Sequence, residues 1–300
     1  MNIYAIANQK GGCGKTITAI QLSAGLSELG KRVLLVDMDP QGHASLGLNV
    51  RSEDLGLSMY DLIRGLERSE IILDDIVLPI GENLDLAPSN ILLASAEQEL
   101  SGWPDRYQRL AKCLKTTSRQ YDFVVVDSPP HLGTLTLNAL FAAQRVVVPI
   151  DASFFSLHGV TKLFQTMEYL KEEAGHSVEF RVLPTMFEKR SCFAKEMLQE
   201  IRGHFGSRVY DTVIHSNIKL REAASHGQSI FAYAPRSRGA TDYRAFAKEI
   251  VAESVPEPIA DVPRRVKTAS MQVPPAPVLS EETRTTAQEI QTFLDQSQGV

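Results

Sequence analysis

The sequence predicts a doubly wound α/β domain, with a mostly parallel sheet and helices on both faces. Three observations carry that prediction. Short continuous apolar runs, such as Phe123-Val124-Val125-Val126 and Val146-Val147-Val148, suit strands buried on both faces of a parallel sheet. Segments with helical periodicity alternate with them along the chain. The first strand-like run of the chain, residues 3–7, also opens through a Gly-rich turn into a helical pattern.

Each element follows in order. Residues 3–7 read as the first strand, and residues 10–14 as a tight turn. A helix follows from Lys15, with Ile20, Leu22, Leu26 and Leu29 apolar and Gly30 as its stop. Residues 32–37 form the second buried strand. Residues 83–88 read as a strand, and residues 97–116 as a helix interrupted near Gly102-Trp103-Pro104. Residues 123–127 and 145–150 are two more buried strands. Helices are expected at 157–174, 193–205 and 243–252, and further strands at 179–183 and 211–214.

The composition changes after residue 252. Six of the chain's 15 prolines, at 256, 258, 263, 274, 275 and 277, fall in this stretch. The expected organisation is therefore one domain over 1–252 and a Pro-rich, flexible tail over 253–300. Ser280-Glu281-Glu282 would cap a short helix within that tail.

Whole-chain properties exclude several function classes. A hydrophobic fraction of 43% is ordinary for a folded domain. No apolar run approaches the roughly 20 residues of a membrane span. Met1-Asn2-Ile3-Tyr4 runs directly into a strand, without the basic start and cleavage site of a leader. Cys13, Cys113 and Cys192 lack metal-binding spacing and are expected to be reduced thiols in a cytoplasmic protein.

The chemistry concentrates in Lys10-Gly11-Gly12-Cys13-Gly14-Lys15-Thr16. Glycines let the backbone wrap so that its N–H groups converge on a phosphate. The following helix N-terminus adds a favourable dipole, and Lys15 adds a charge. The Thr16 hydroxyl would meet Mg²⁺. The ordinary P-loop needs glycine at position 9, and Gln9 stands there. In its place the loop carries a second lysine, Lys10.

This loop resembles the deviant Walker A motif of the ParA/MinD family of ATPases, and the resemblance covers roughly residues 1–252. It implies a P-loop NTPase fold with ATP and Mg²⁺ as cofactors. Nucleotide binding is implied for Lys10, Gly11, Gly12, Cys13, Gly14, Lys15, Thr16 and Ile17. Ile17 replaces a hydroxyl residue often found there, so only its backbone N–H would serve. In the family the lysine at position 10 reaches across a nucleotide-sandwich homodimer to the partner's phosphates. Val36-Asp37-Met38-Asp39-Pro40-Gln41-Gly42 resembles switch I, in which Asp39 helps orient the attacking water and touches the Mg²⁺ shell. His43 stands where the family often has Asn. Val124-Val125-Val126-Asp127-Ser128-Pro129-Pro130 resembles Walker B running into switch II, with Asp127 holding Mg²⁺ through water. Lys10, Lys15 and Asp39 are the implied catalytic residues. Pro235 falls where family members close over the nucleobase. Cys13, beside a helix N-terminus, would have a lowered pKa.

The resemblance also bears on what the ATPase acts on. Residues 181–248 hold 12 Lys/Arg against six Asp/Glu, a net of +6 in a chain of net −5. ParA-type members use basic residues in this region to bind DNA without sequence preference, and Arg190, Lys219 and Arg221 match. No helix-turn-helix pattern precedes the loop, as in the short chromosomal type. The implied role is chromosome or plasmid segregation on the nucleoid, with a ParB-like partner stimulating hydrolysis. The same cycle positioning another cargo through an adaptor protein is the alternative. A MinD-like membrane role is disfavoured, because the tail helix sets Glu281, Glu282, Glu289 and Asp295 against Arg284 alone. A nitrogenase-reductase-like role is disfavoured because neither Cys113 nor Cys192 lies in switch II.

Overall fold

A computed structural model of the chain describes residues 1–65, 71–153 and 156–254. The expected tail therefore lies, from residue 255 onward, outside the described residues.

Seven strands form one sheet in the order β3-β4-β2-β5-β1-β6-β7. They are β1 (Asn2–Ile6), β2 (Val33–Asp37), β3 (Leu78–Gly81), β4 (Leu84–Ala87), β5 (Phe123–Asp127), β6 (Arg145–Ile150) and β7 (Glu179–Pro184). Every pairing is parallel except the antiparallel β3–β4 hairpin at one edge. The apolar runs work as the pattern requires. In β5, Val124 and Val126 face one hydrophobic core while Phe123 and Val125 face the other. Leu34 and Val36 of β2 join the first core, and Val33 and Leu35 join the second.

Helix α1 (Lys15–Glu28) follows β1 and packs on the second core with α12 (Arg238–Ser254). After β2 come α2 (His43–Leu46), α3 (Met59–Gly65) and α4 (Leu73–Ile76). After β4 come α5 (Leu93–Glu99) and α6 (Arg109–Cys113), and after β5 comes α7 (Thr134–Ala142). The remainder are α8 (Ser156–Ala174), α9 (Cys192–Phe205), α10 (Ile218–Ser225) and α11 (Ile230–Tyr233).

Three expectations are corrected. Residues 211–214 are not a strand. The N–H groups of Asp211 and Thr212 donate instead to the Glu249 carboxylate of α12, at 2.8 and 3.1 Å. Only isolated bridges at Val209 and His215 flank them. The long helix over 97–116 is two short helices with a 3₁₀ turn at Leu100–Gly102. The last helix begins at Arg238, five residues before its expected start at Tyr243.

The parallel strands place three loops side by side at their C-terminal ends. These are the loop after β1, the loop after β2 and the loop after β5. Such ends, where the strand order reverses, are the ligand crevice of open α/β sheets.

Candidate active site

The Gly-rich turn is built from both flanks. Asn8 Nδ2 donates to the Pro149 carbonyl at 2.7 Å, and Asn8 Oδ1 accepts from Lys10 N at 3.1 Å. Thr185 Oγ1 donates to the Cys13 carbonyl at 2.9 Å. Gly12 (φ 75°) and Gly14 (φ 92°) are left-handed, a conformation that costs a side chain about 1–2 kcal/mol. A Cβ at Gly14 would also stand 3.1 Å from Met186 Cε. Gly14 is the N-cap of α1, so the first N–H groups of that helix open toward the turn.

The two lysines have separate stations. Lys15 is 7% exposed, and its Nζ donates to the Lys10 carbonyl at 2.9 Å. Lys10 Nζ lies at the rim and pairs with Asp151, at 2.7 Å to Oδ1 and 2.6 Å to Oδ2, and with the Ser153 hydroxyl. Asp151 follows β6, beside β1.

Three carboxylates lie at the ends of the neighbouring strands, Asp37 and Asp39 at the end of β2 and just beyond it, and Asp127 at the end of β5. Asp37, at the end of β2, is buried, and burial pushes its pKa up to about 6. Its Oδ1 accepts from Asp39 N at 3.2 Å, and its Oδ2 accepts from Ser45 N at 2.8 Å and Ser45 Oγ at 2.7 Å. Asp39 accepts from Gln41 N at 2.9 Å. Asp127 ends β5 in register with Asp37. Both of its carboxylate oxygens are buried without a hydrogen-bond partner. Burial holds its pKa well above the carboxylate range, and the charge of Asp37 adds to that. The Thr16 hydroxyl and the Lys15 ammonium pull the other way.

An unpartnered buried carboxylate fits an oxygen-seeking dication. Mg²⁺ binds one or two carboxylates and keeps several waters. Asp127, with the Thr16 hydroxyl beside it, could hold such an ion. Among the described residues, no group of three or more His, Cys, Asp or Glu could hold a metal by itself. Most of the shell would therefore be water and phosphate.

Other expected residues take the following places. Gly11 is exposed on the turn, while Thr16 and Ile17 open α1. Pro235 follows α11. Its carbonyl accepts from Arg244 Nη1 at 2.8 Å, and Ile230 N of α11 donates to Gln21 Oε1 of α1 at 2.7 Å. This docks the 230–235 segment one turn beyond Ile17. Cys13 is a correction. Its thiol is fully buried, and burial raises its pKa despite Lys15. Arg190, Lys219 and Arg221 are exposed, away from the loop of glycines in sequence. Lys219 is paired with Glu222 at 2.7 Å.

The sequence reading missed Asn8, Ser45, Ser89 and Asp151. A signal existed for Asp151, which ends an apolar run as Asp37 and Asp127 do. No local signal marks Ser45 or Ser89.

Known proteins resemble this chain along most of its length. Residues 1–180 match the model of a family described as an AAA domain. The chain is 41% identical over 251 residues to the sporulation initiation inhibitor protein Soj of Bacillus subtilis, covering 83% of this chain and 98% of that one. It is 43% identical over 251 residues to the chromosome-partitioning ATPase Soj of Thermus thermophilus, covering 83% and 94%. Among solved structures, cobyrinic acid a,c-diamide synthase from Mycobacterium smegmatis with bound ADP and magnesium matches with a TM-score of 0.73. That likeness is at 30% identity and covers 84% of this chain and 95% of the other. The chain belongs to the ParA/MinD family of ATPases.

Proposed function

We propose that this ATPase is a ParA-like partition protein, using ATP and Mg²⁺ to switch between a free form and a DNA-bound homodimer. The single observation that carries the reading is the pair of lysines with different stations. Lys15 lies within the turn, where a bound phosphate chain would meet it. Lys10 lies at the rim, 24% exposed, on a counter-ion of its own chain. A cation so placed can leave Asp151 for the phosphates of a second protomer, and it would help spread the charge that develops in phosphoryl transfer.

Within this reading, Gly11, Gly12, Cys13, Gly14 and Ile17 cradle the phosphates through backbone N–H groups. Lys15 holds them by charge, and Thr16 and Asp127 hold Mg²⁺. Asp39 orients the attacking water, and Pro235 closes over the base. Arg190, Lys219 and Arg221 hold DNA phosphates. A ParB-like partner, or a cargo adaptor, stimulates hydrolysis and release. No described helix is long and apolar enough to cross a membrane, and DNA on the nucleoid is the proposed surface. The ATPase domain spans 1–252, so deletion after Ser254 leaves ATP binding intact.

Binding to random-sequence DNA, measured with ATP, with ADP and without nucleotide across a salt series, tests the reading. ATP is expected to raise affinity, and salt to lower it steeply. Equal binding in all three states sinks the DNA switch.

A further inference from the structure

We propose that Ser45 is a positioning residue for ATP hydrolysis, acting as the middle link of a buried chain, Asp37–Ser45–Ser89, that fixes the loop carrying Asp39. The proposal rests on the reading of Asp39 as the residue that orients the attacking water.

The chain is closed at both ends of the loop. Asp37 gives one carboxylate oxygen to the start, accepting from Asp39 N at 3.2 Å. It gives the other to the end, accepting from Ser45 N at 2.8 Å and from Ser45 Oγ at 2.7 Å. Ser45 Oγ in turn accepts from Ser89 N at 3.2 Å. Ser45 and Ser89 are 1% and 0% exposed, so water does not replace these bonds. Ser89 also backs the loop tip. A Cβ at Gly42 would stand 3.4 Å from the Ser89 carbonyl oxygen.

The Ser45 hydroxyl does two jobs at once, donating to Asp37 while accepting from Ser89. Loss of the hydroxyl leaves the Ser45 N–H bond to Asp37 in place, so the loop still closes. It also leaves Ser89 N without its acceptor and Asp37 Oδ2 with one donor in place of two. The loop is then held by its backbone alone, and the Asp39 carboxylate loses its fixed bearing. The phosphate cradle, built by Asn8, Thr185 and Gly14, contains none of these atoms. The consequence falls on the rate of the chemical step and spares nucleotide affinity.

The test uses the full chain with Mg-ATP, measuring kcat, KM and the affinity for a non-hydrolysable ATP analogue. Ser45→Ala is expected to lower kcat about 10-fold, as a small misplacement of a reacting group does, with KM and analogue affinity within about 2-fold of wild type. Ser45→Thr keeps the hydroxyl and is expected to restore kcat. If Ser45→Ala does not fold, Ser45→Cys keeps the size with a weak donor and acceptor, and is expected to lower kcat alone. An unchanged kcat in Ser45→Ala or Ser45→Cys overturns the proposal, as does a loss confined to KM or a loss that Thr fails to rescue. Asp39→Ala run alongside separates the two readings. Wild-type hydrolysis in that variant removes the role of Asp39 itself.

Discussion

Asp127→Asn should make the nucleotide-free protein more stable and reduce the further stability that Mg-ATP adds. The carboxylate is fully buried, both oxygens lack a partner, and Asp37 lies opposite it in the sheet register. A buried polar group left unsatisfied costs about 1–3 kcal/mol, and more when charged. Asn removes the charge but keeps two polar atoms, so the gain lies at the low end, about 1–2 kcal/mol. For a domain of this size that is a rise of about 2–8 °C in Tm. The sign depends on pH. A carboxyl whose native pKa is raised costs the fold stability as pH rises from the ordinary carboxylate value toward the raised one. The gain is therefore larger at about pH 7 than at about pH 4, the ordinary aspartate value near which the unfolded chain takes up the proton too. Saturating Mg-ATP acts oppositely. Ligand at 100 times its Kd adds about 2.7 kcal/mol, and a tenfold weaker Kd forfeits about 1.4 kcal/mol of it. Thermal unfolding followed by circular dichroism, with and without Mg-ATP at both pH values, reads all four quantities. A variant that is less stable without nucleotide, or that gains as much from Mg-ATP as wild type, would refute the reasoning.

Lys10→Ala is expected to bind ATP as a monomer and to lose the ATP-dependent dimer; light scattering after size exclusion checks it, and a full dimer removes the trans role. Arg109→Met should cost about 3 kcal/mol in urea unfolding, the low end for breaking a buried charged pair. Arg109 is fully buried and donates twice to the Ile63 carbonyl, at 3.0 and 2.7 Å, while its partner Asp105 keeps Lys112 after the change. Thiol titration should find one fast-reacting cysteine in the native chain, the exposed Cys192, and all three after denaturation. Rapid native reaction of Cys13, whose thiol is buried and pushed up in pKa, would contradict the structure.

The fold was legible where the signal was local. Strands β1, β2, β5 and β6 are continuous apolar runs because alternate residues enter two different cores, and the runs state this directly. Strand β3 was not legible, because Pro79 and Gly81 weaken the pattern at an edge that needs no second face. Thr212-Val213-Ile214 has strand composition, but a glutamate from α12 takes the N–H groups of Asp211 and Thr212. The phosphate loop was legible because its glycines and lysines act through their own backbone. Ser45 and Ser89 were not, since their meaning arises only when β2 and β4 pair side by side. Cys13 misled for the same reason. The helix N-terminus is visible in sequence, and the burial that outweighs it is not.

The basic stretch needs the same correction from counting to geometry. Residues 181–248 carry a net of +6, yet several of their cations already hold ion pairs within the chain. Arg181 faces Glu249 and Glu253 at 3.8 and 3.6 Å, and Lys219 pairs with Glu222 at 2.7 Å. Arg238 approaches Asp242 at 3.8 Å, and Arg244 pairs with Glu28 at 2.9 Å. Lys189, Arg190 and Lys195 stand exposed instead, around the start of α9, with Arg221, Arg236 and Lys248 exposed farther along the chain. A DNA surface built at the α9 start would neutralise about three phosphates per protomer, a slope of about −2.7 in log K against log salt and about twice that in a dimer. Lys219 would have to leave Glu222 before adding to that slope, which makes Arg190 the stronger contact of the two. A dimer slope of about −5, lost mainly through Lys189, Arg190 and Lys195, would place the DNA on this end of α9, whereas a slope of about −10 would bring in the exposed Arg221, Arg236 and Lys248 as well.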